Sequence, residues 1–209
     1  MSSIQTALNF LRDGRMIILV DDEQRENEGD IVMAAEFVTP QAITFMARQA
    51  CGLICLALSG GDVDRLGLLP MVAQNNSAWQ SPFTVSIEAR HGITTGISAA
   101  DRAHTISVAI DQKSGPQDIV SPGHMFPLRA DDGGVLARAG HTEGSINLMH
   151  LAGLSPGAVI CEIMNDDGSM ARMPDLRLFA QMYDMPIVTI GEIIDYLTQA
   201  QESRLHEVA

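Results

Sequence analysis

Six carboxylates and one arginine fall within the ten residues Asp21 to Asp30, DDEQRENEGD, between the apolar runs MIILV and IVMAA. Like charges about 6 Å apart repel by ~0.7 kcal/mol in water and ~3 kcal/mol at an effective dielectric near 20, so a partly buried loop of this kind calls for a counter-cation. If the loop is extended, Glu26, Glu28 and Asp30 share one face by the period-two rule; if it is helical, Glu26 and Asp30 still do. Either arrangement offers the hard oxygen donors that suit magnesium or manganese. Taken alone, the loop also reads as a solvated acidic turn between strands, and the rest of the chain decides between the two.

Four later stretches supply partners. In AVICEIM, Ala158 to Met164, Glu162 stands inside an otherwise apolar strand. Burial of an unpaired carboxylate is costly and raises its pKa toward the range where it moves protons. In RAGHTEG, Arg138 and the amides of Gly140 to Thr142 meet at an expected helix N-terminus, which is a good phosphate seat. His141 in the same turn can aim a ring nitrogen at a metal. Thr94, Thr95 and Gly96 offer hydroxyls and amides to an anion. His124, expected on a turn after Pro122 and Gly123, has the near-neutral pKa of a general acid or base. Each also has a plainer reading: His124 as a surface loop residue, His104 as a partly exposed helix side chain, Cys55 between Ile54 and Leu56 as a small buried hydrophobe.

The elements that must carry these residues follow from periodicity and punctuation. Ser2 to Asp13 reads as a helix with Ser2 and Gln5 spaced as a capping box and Gly14 ending it. Met16 to Val20 and Ile31 to Ala35 read as strands clamping the acidic loop. Thr39 and Pro40 open a helix to about Ala50 with Ile43, Met46 and Ala47 inward. Leu53 to Leu58 is a buried strand, and Gly60 to Trp79 a long loop with one helical turn. Phe83 to Ile87 is a strand, Ser98 caps a helix through Ile110, and a short strand follows His124. A further strand precedes a helix that starts at Thr142 with Ile146, Met149 and Leu154 as its stripe. Asp167-Gly168 marks a hairpin turn. Pro174 to Asp184 is helical, Ile187 to Ile190 a last strand, and a polar helix runs from Ile193. Strands interspersed with helices indicate an α/β (α+β type) fold, a layered domain with a mixed sheet flanked by helices.

The chain's 209 residues suffice for one sizeable core, and one domain spanning 1–209 is expected. With 13 basic and 26 acidic residues the net charge is −13, which argues against a nucleic-acid groove. An anionic small molecule would have to be held locally by arginines, amides or a metal. No basic leader and no membrane-length apolar run occur, so a soluble, cytoplasmic protein without membrane partners is expected. Cys51, Cys55 and Cys161 form no zinc pattern and read as reduced thiols.

RENEGD, TTGISAADR, GHMFPLRA, RAGHTEG and CEIMNDDGSMAR, in this order, resemble the 3,4-dihydroxy-2-butanone 4-phosphate synthase family over about Ile4 to Gly191. The resemblance implies a riboflavin-pathway lyase, dependent on magnesium or manganese and homodimeric. Its reaction converts D-ribulose 5-phosphate to L-3,4-dihydroxy-2-butanone 4-phosphate and formate. It further implies metal ligation by Glu26 and His141, and substrate contacts from Arg25, Glu26, Asp30, Arg138, Ala139, Gly140, His141, Thr142 and Glu162. His124 and Glu162 fall where the family requires residues for catalysis, and Asp21, Glu28, Cys55 and Thr95 match its active-site surroundings. Many relatives carry an added GTP cyclohydrolase II domain; with the sequence ending at Ala209, the stand-alone lyase is expected. The rival readings are another metal-dependent sugar-phosphate aldolase or isomerase, which releases no formate, and a non-catalytic sugar-phosphate sensor, which could dispense with His124 and Glu162.

Overall fold

A computed structural model describes residues 3–208, with side chains described through residue 202. Seven strands form one mixed sheet: β1 (Ile17–Val20), β2 (Gly29–Ala34), β3 (Cys55–Leu58), β4 (Ile87–Ala89), β5 (Ile119–Arg129), β6 (Gly157–Glu162) and β7 (Ile187–Thr189). Their order across the sheet is β4-β5-β3-β6-β2-β1-β7. The pairs β1/β7 and β3/β5 are parallel, and the other neighbours are antiparallel. Every residue of β1, β2 and β3 is buried, as expected of central strands covered on both faces.

Alternation along the strands sends side chains into two cores. On one face Ile18, Ile31, Leu56 and Val159 pack against α2 (Pro40–Phe45), α3 (Gly60–Arg65), α4 (Ala99–Ile110) and α6 (Met173–Tyr183). On the other, Ile17, Leu19, Val32, Cys55 and Ile160 pack against α1 (Ser3–Arg12), α5 (His141–Ala152) and α7 (Ile190–Val208). The α/β layered architecture with a mixed sheet is therefore as the sequence indicates, and no helix among the described residues is long and apolar enough to cross a membrane.

Several expectations are corrected. Ser2, proposed to cap α1, lies outside the described residues. The helix after Pro40 changes to π geometry over Met46–Ala50, and its extra residue per turn brings Ala50 inward while Ala47 is exposed. Phe83 and Thr84 make only isolated bridges, and β4 begins at Ile87. Residues 134–136 form a 3₁₀ turn, not a strand, and α5 starts at His141 and ends at Gly153, so Leu154 falls outside it. His124 sits within the eleven-residue strand β5 and not on a turn, because Pro122 and Gly123 are absorbed at an irregular β4/β5 register.

Candidate active site

The acidic loop folds around its own first carboxylate. Asp21 is buried, and its oxygens accept from the Glu28 amide (2.8 Å), the Glu26 amide (3.0 Å) and the Arg25 guanidinium (2.9 Å). Arg25 also pairs with Glu26, and from across the chain Arg172 donates to the carbonyl of Glu26 at 2.7 Å and to that of Asn27. Asn27 takes a left-handed conformation (φ 54°), which its short polar side chain tolerates. The loop is thus a fixed turn, and its internal cations are Arg25 and Arg172.

His141, first residue of α5, is buried against this loop. Its Nδ1 lies 3.6 Å from a Glu26 carboxylate oxygen, and its Nε2 lies 3.3 Å from the Glu28 carbonyl and 3.9 Å from Asp30 Oδ1. Nε2 thus faces the Glu28 carbonyl and Nδ1 faces Glu26. Asp21, Glu26 and His141 each bring one potential ligand atom within 4.8 Å of the others. Burial works against a charged His141 ring, yet Asp30, Glu26 and Asp21 outweigh it and lift its pKa to about 9. The converse holds for Asp30: burial, reinforced by Glu162, Glu26 and Glu28 and opposed by His141, raises it to about 7. Glu26 is also desolvated, but His141 and Arg25 hold its pKa below the usual carboxylate value. Asp30 Oδ1 is buried and has no hydrogen-bond partner, so it is a polar atom without the partner that buried groups nearly always find.

Strand pairing then adds Glu162. Asp30 is opposite Glu162 across the antiparallel β2/β6 pair, so both side chains leave the same face of the sheet. Glu162 lies between buried Cys161 and Ile163 as expected, half-buried, but at the C-terminal end of β6 and not inside the strand. Its carboxylate accepts from the Leu53 amide at 2.8 Å, and burial raises its pKa. The π turn produces that contact: Cys51 ends it in a left-handed conformation and Gly52 passes so close that a Cβ there would lie 2.3 Å from the Glu162 carbonyl.

At the other side of the pocket Arg138 donates to Glu143 at 2.7 Å and to the Trp79 carbonyl at 3.1 Å. Glu143 is fully buried and also accepts from the Asp131 amide. Gly140, the N-cap of α5, leaves space for the Arg138–Glu143 pair, since a Cβ there would lie 2.3 Å from the Arg138 guanidinium and displace it. Arg25, Glu26, Glu28, Asp30, Cys55, Arg138, His141, Thr142 and Glu162 thus line one cleft, together with Ser81 and Phe83. Burial pushes the Cys55 thiol well up, so it is both the small buried hydrophobe expected and an uncharged wall of the cleft.

Five candidates stand outside the lining: Asp21, Thr95, His124, Ala139 and Gly140. Asp21 is buried in the acidic loop, Ala139 is exposed, and Gly140 is buried as the N-cap of α5. The amides of Thr94 and Gly96 are already taken by an internal anion: Asp101, in the first turn of α4, accepts from the Thr94 amide (3.0 Å), the Thr94 hydroxyl (2.7 Å) and the Gly96 amide (3.0 Å). Thr95 is exposed beside them, and His124 is half-exposed and bonded through Nδ1 to Glu88. Glu88, Glu143, Trp79 and Arg172 were not singled out from sequence. Of these only Glu143 had a local signal, an acidic residue in the first turn of a helix; the others matter through long-range contacts.

The family model for 3,4-dihydroxy-2-butanone 4-phosphate synthase matches residues 5–196. A protein of that name from Neisseria meningitidis serogroup A is 54% identical over 200 residues, covering 96% of this chain and 55% of the relative. One from Vibrio cholerae serotype O1 is 52% identical over 196 residues, covering 94% of this chain and 90% of the relative. The chain thus spans about half the length of the first relative and nearly all of the second. A solved structure of a 3,4-dihydroxy-2-butanone 4-phosphate synthase in complex with two magnesium ions superposes with a TM-score of 0.92 at 37% identity, covering 96% of this chain and 99% of that one.

Proposed function

The chain belongs to the 3,4-dihydroxy-2-butanone 4-phosphate synthase family, and on that premise we propose that it converts D-ribulose 5-phosphate to L-3,4-dihydroxy-2-butanone 4-phosphate and formate in riboflavin biosynthesis. The observation that carries the reading is the convergence of Glu26, Asp30, His141 and Glu162 with Arg138 and Thr142 in one cleft, from three separate stretches of chain.

The donor set fits a hard divalent cation. Glu26 and Nδ1 of His141 face each other among excess carboxylates, an environment that magnesium or manganese would satisfy by displacing the Nδ1 proton, and these two residues are assigned as its ligands. Such an ion supplies Lewis-acid stabilisation of negative charge developing on neighbouring sugar oxygens.

The chain's own groups account for binding and proton movement. Arg138, Thr142 and the N-terminal amides of α5 take the phosphate, while Glu143 fixes the guanidinium from behind. Arg25 closes the same end beside Trp79, with the guanidinium 5.6 Å from the ring centroid. The unpartnered Asp30 oxygen, with Glu28 near it, receives sugar hydroxyls. Glu162, raised by burial and held by the Leu53 amide, takes and returns a proton during enolisation and rearrangement.

His124 and Thr95 lie outside the cleft, and we assign them to the site of a second copy in a two-fold homodimer. Two features support this: His124 is half-exposed, and Ile97, close to Thr95 in sequence, is an exposed apolar side chain.

The test is incubation with ribulose 5-phosphate, with and without chelator, followed by formate detection. Formate is expected only when magnesium or manganese is present. An aldolase or isomerase releases none, and a sensor consumes no substrate. Titration of the metal into substrate-loaded Glu26→Gln and His141→Ala proteins checks the ligands, and unchanged affinity in both would remove them from that role.

A further inference from the structure

Outside the cleft, one other acidic side chain is built into a defined arrangement with a histidine. Glu88 on β4 and His124 on β5 meet through Oε1 and Nδ1. The carboxylate is largely buried, with 15% of its side chain exposed, whereas 46% of the imidazole is exposed. Gly96 makes room for the pair: a Cβ there would lie 1.5 Å from Glu88 Oε1 and 2.8 Å from His124 Nδ1. Gly123 lets the two strands approach, since a Cβ there would meet the Ile87 backbone at 2.2 Å before the Glu88 Cγ at 2.6 Å. Gly96 has φ +92°, a conformation that also excludes side chains, and its amide is fixed by Asp101. Gly123 is fixed in turn by its amide donating to the Ser86 hydroxyl at 3.1 Å.

The chemistry of the pair dictates the state of the ring. An ionised carboxylate only accepts, so a neutral His124 must carry its proton on Nδ1 and leave Nε2 bare. Among the described residues no hydrogen bond reaches Nε2, and nearly half of the His124 side chain is exposed. A histidine meant only to pair with a surface carboxylate needs neither a largely buried partner nor a left-handed glycine packed against the contact.

We infer that Glu88 is the positioning residue for His124: it holds the ring by Nδ1 so that Nε2 is the atom presented for proton transfer. Glu88 touches no substrate in this scheme and acts through the imidazole alone. The inference rests on the catalytic assignment of His124 made above.

The experiment compares wild type, Glu88→Gln, Glu88→Ala and His124→Ala, each checked for folding by circular dichroism. Ring nitrogen resonances of His124, measured by long-range ¹H–¹⁵N correlation with the neutral ring at about pH 8.5, report the tautomer without turnover. Wild type is expected to show Nδ1–H. Glu88→Ala should shift the population toward Nε2–H. Glu88→Gln, able to turn its amide NH₂ toward the ring, should do so more fully. Turnover on ribulose 5-phosphate should fall about 10- to 100-fold in both Glu88 variants with KM within about twofold of wild type, because an orienting partner and not a binding contact is lost. An Nε2–H ring in wild type, or unchanged kcat in folded Glu88 variants beside an inactive His124→Ala protein, would overturn the role of Glu88. Full activity in His124→Ala would instead remove the assignment of His124, and it is recognised separately because Glu88 is then intact.

Discussion

The cleft and the Glu88–His124 pair lie on the same sheet and are built in opposite ways. In the cleft, chemistry-bearing side chains are buried and held from several directions: Asp21 accepts three bonds, Arg172 braces the loop from α6's N-terminus, and Glu143 anchors Arg138. At the pair, a single carboxylate holds a ring that is half-open to the outside. The difference teaches what each can do alone. On the proposed assignments the cleft collects a metal seat, a phosphate seat and a proton-transfer carboxylate within one chain, whereas His124 lies outside it with an orienting partner alone. The proposed dimer would join the two halves by bringing the open ring of one copy to the cleft of another.

The largest effect expected is inside the cleft. Glu162→Gln keeps the shape and the acceptor for the Leu53 amide but removes the titrating group. Turnover should fall at least about a hundredfold while substrate binding and folding persist. Near-normal turnover in a well-folded variant would make Glu162 a structural strut, and the contrast between a reactive cleft and an auxiliary histidine would lose its main term.

The next test separates the two regions by chain. Inactive Glu26→Gln and His124→Ala proteins, mixed by co-refolding or co-expression with differential tags, should regain formate release. A mixed dimer has one site with both lesions and one with neither, so with half the dimers mixed, about a quarter of wild-type activity is expected under two-fold symmetry. If both residues serve the same chain's site, every site stays damaged. Mixed dimers that form and remain inactive would place His124 beside the cleft of its own chain.

The cleft was largely legible because its signals are local. A carboxylate inside an apolar run, a ten-residue acidic turn and an Arg–Ala–Gly–His–Thr helix start each announce themselves within a short window, and both apolar strands around the acidic turn form close to their expected limits. What the sequence hid is set by contacts distant along the chain. The pairing of Asp30 with Glu162 depends on register between β2 and β6, which lie far apart in sequence. Glu88 gains meaning only through the irregular β4/β5 register, and placing that strand four residues early also obscured which side chains face His124. The π turn before Cys51 has no compositional marker, yet it delivers the amide that holds Glu162. The TTG turn misled for a different reason: its amides do bind an anion, but the anion is Asp101, three residues past the helix-capping Ser98.

The smallest effect concerns that Asp101, which connects the turn carrying Thr95 to the Glu88–His124 pair and has no contact with the cleft. Three hydrogen bonds from Thr94 and Gly96 stabilise its charged form, led by the Thr94 hydroxyl, and bring its pKa down to about 2. An unfolded aspartate titrates near about 3.9, so the folded state binds its proton less readily than the unfolded state. The resulting stabilisation is present in full above the unfolded value and is lost as pH falls through about 2. Asp101→Asn should therefore be less stable than wild type at pH 7, and the gap between their denaturation midpoints should narrow from about pH 4 downward, even though other carboxylates change both proteins together. At neutral pH the variant should still bind metal and phosphate as wild type does, since its lesion lies outside the cleft. Formate release should nevertheless decline, because Gly96 no longer keeps Glu88 and His124 in register. A midpoint gap that stays constant down to pH 2 would show that the turn is held by packing and not by the charge of Asp101. Lost metal affinity would show that the two regions are mechanically one.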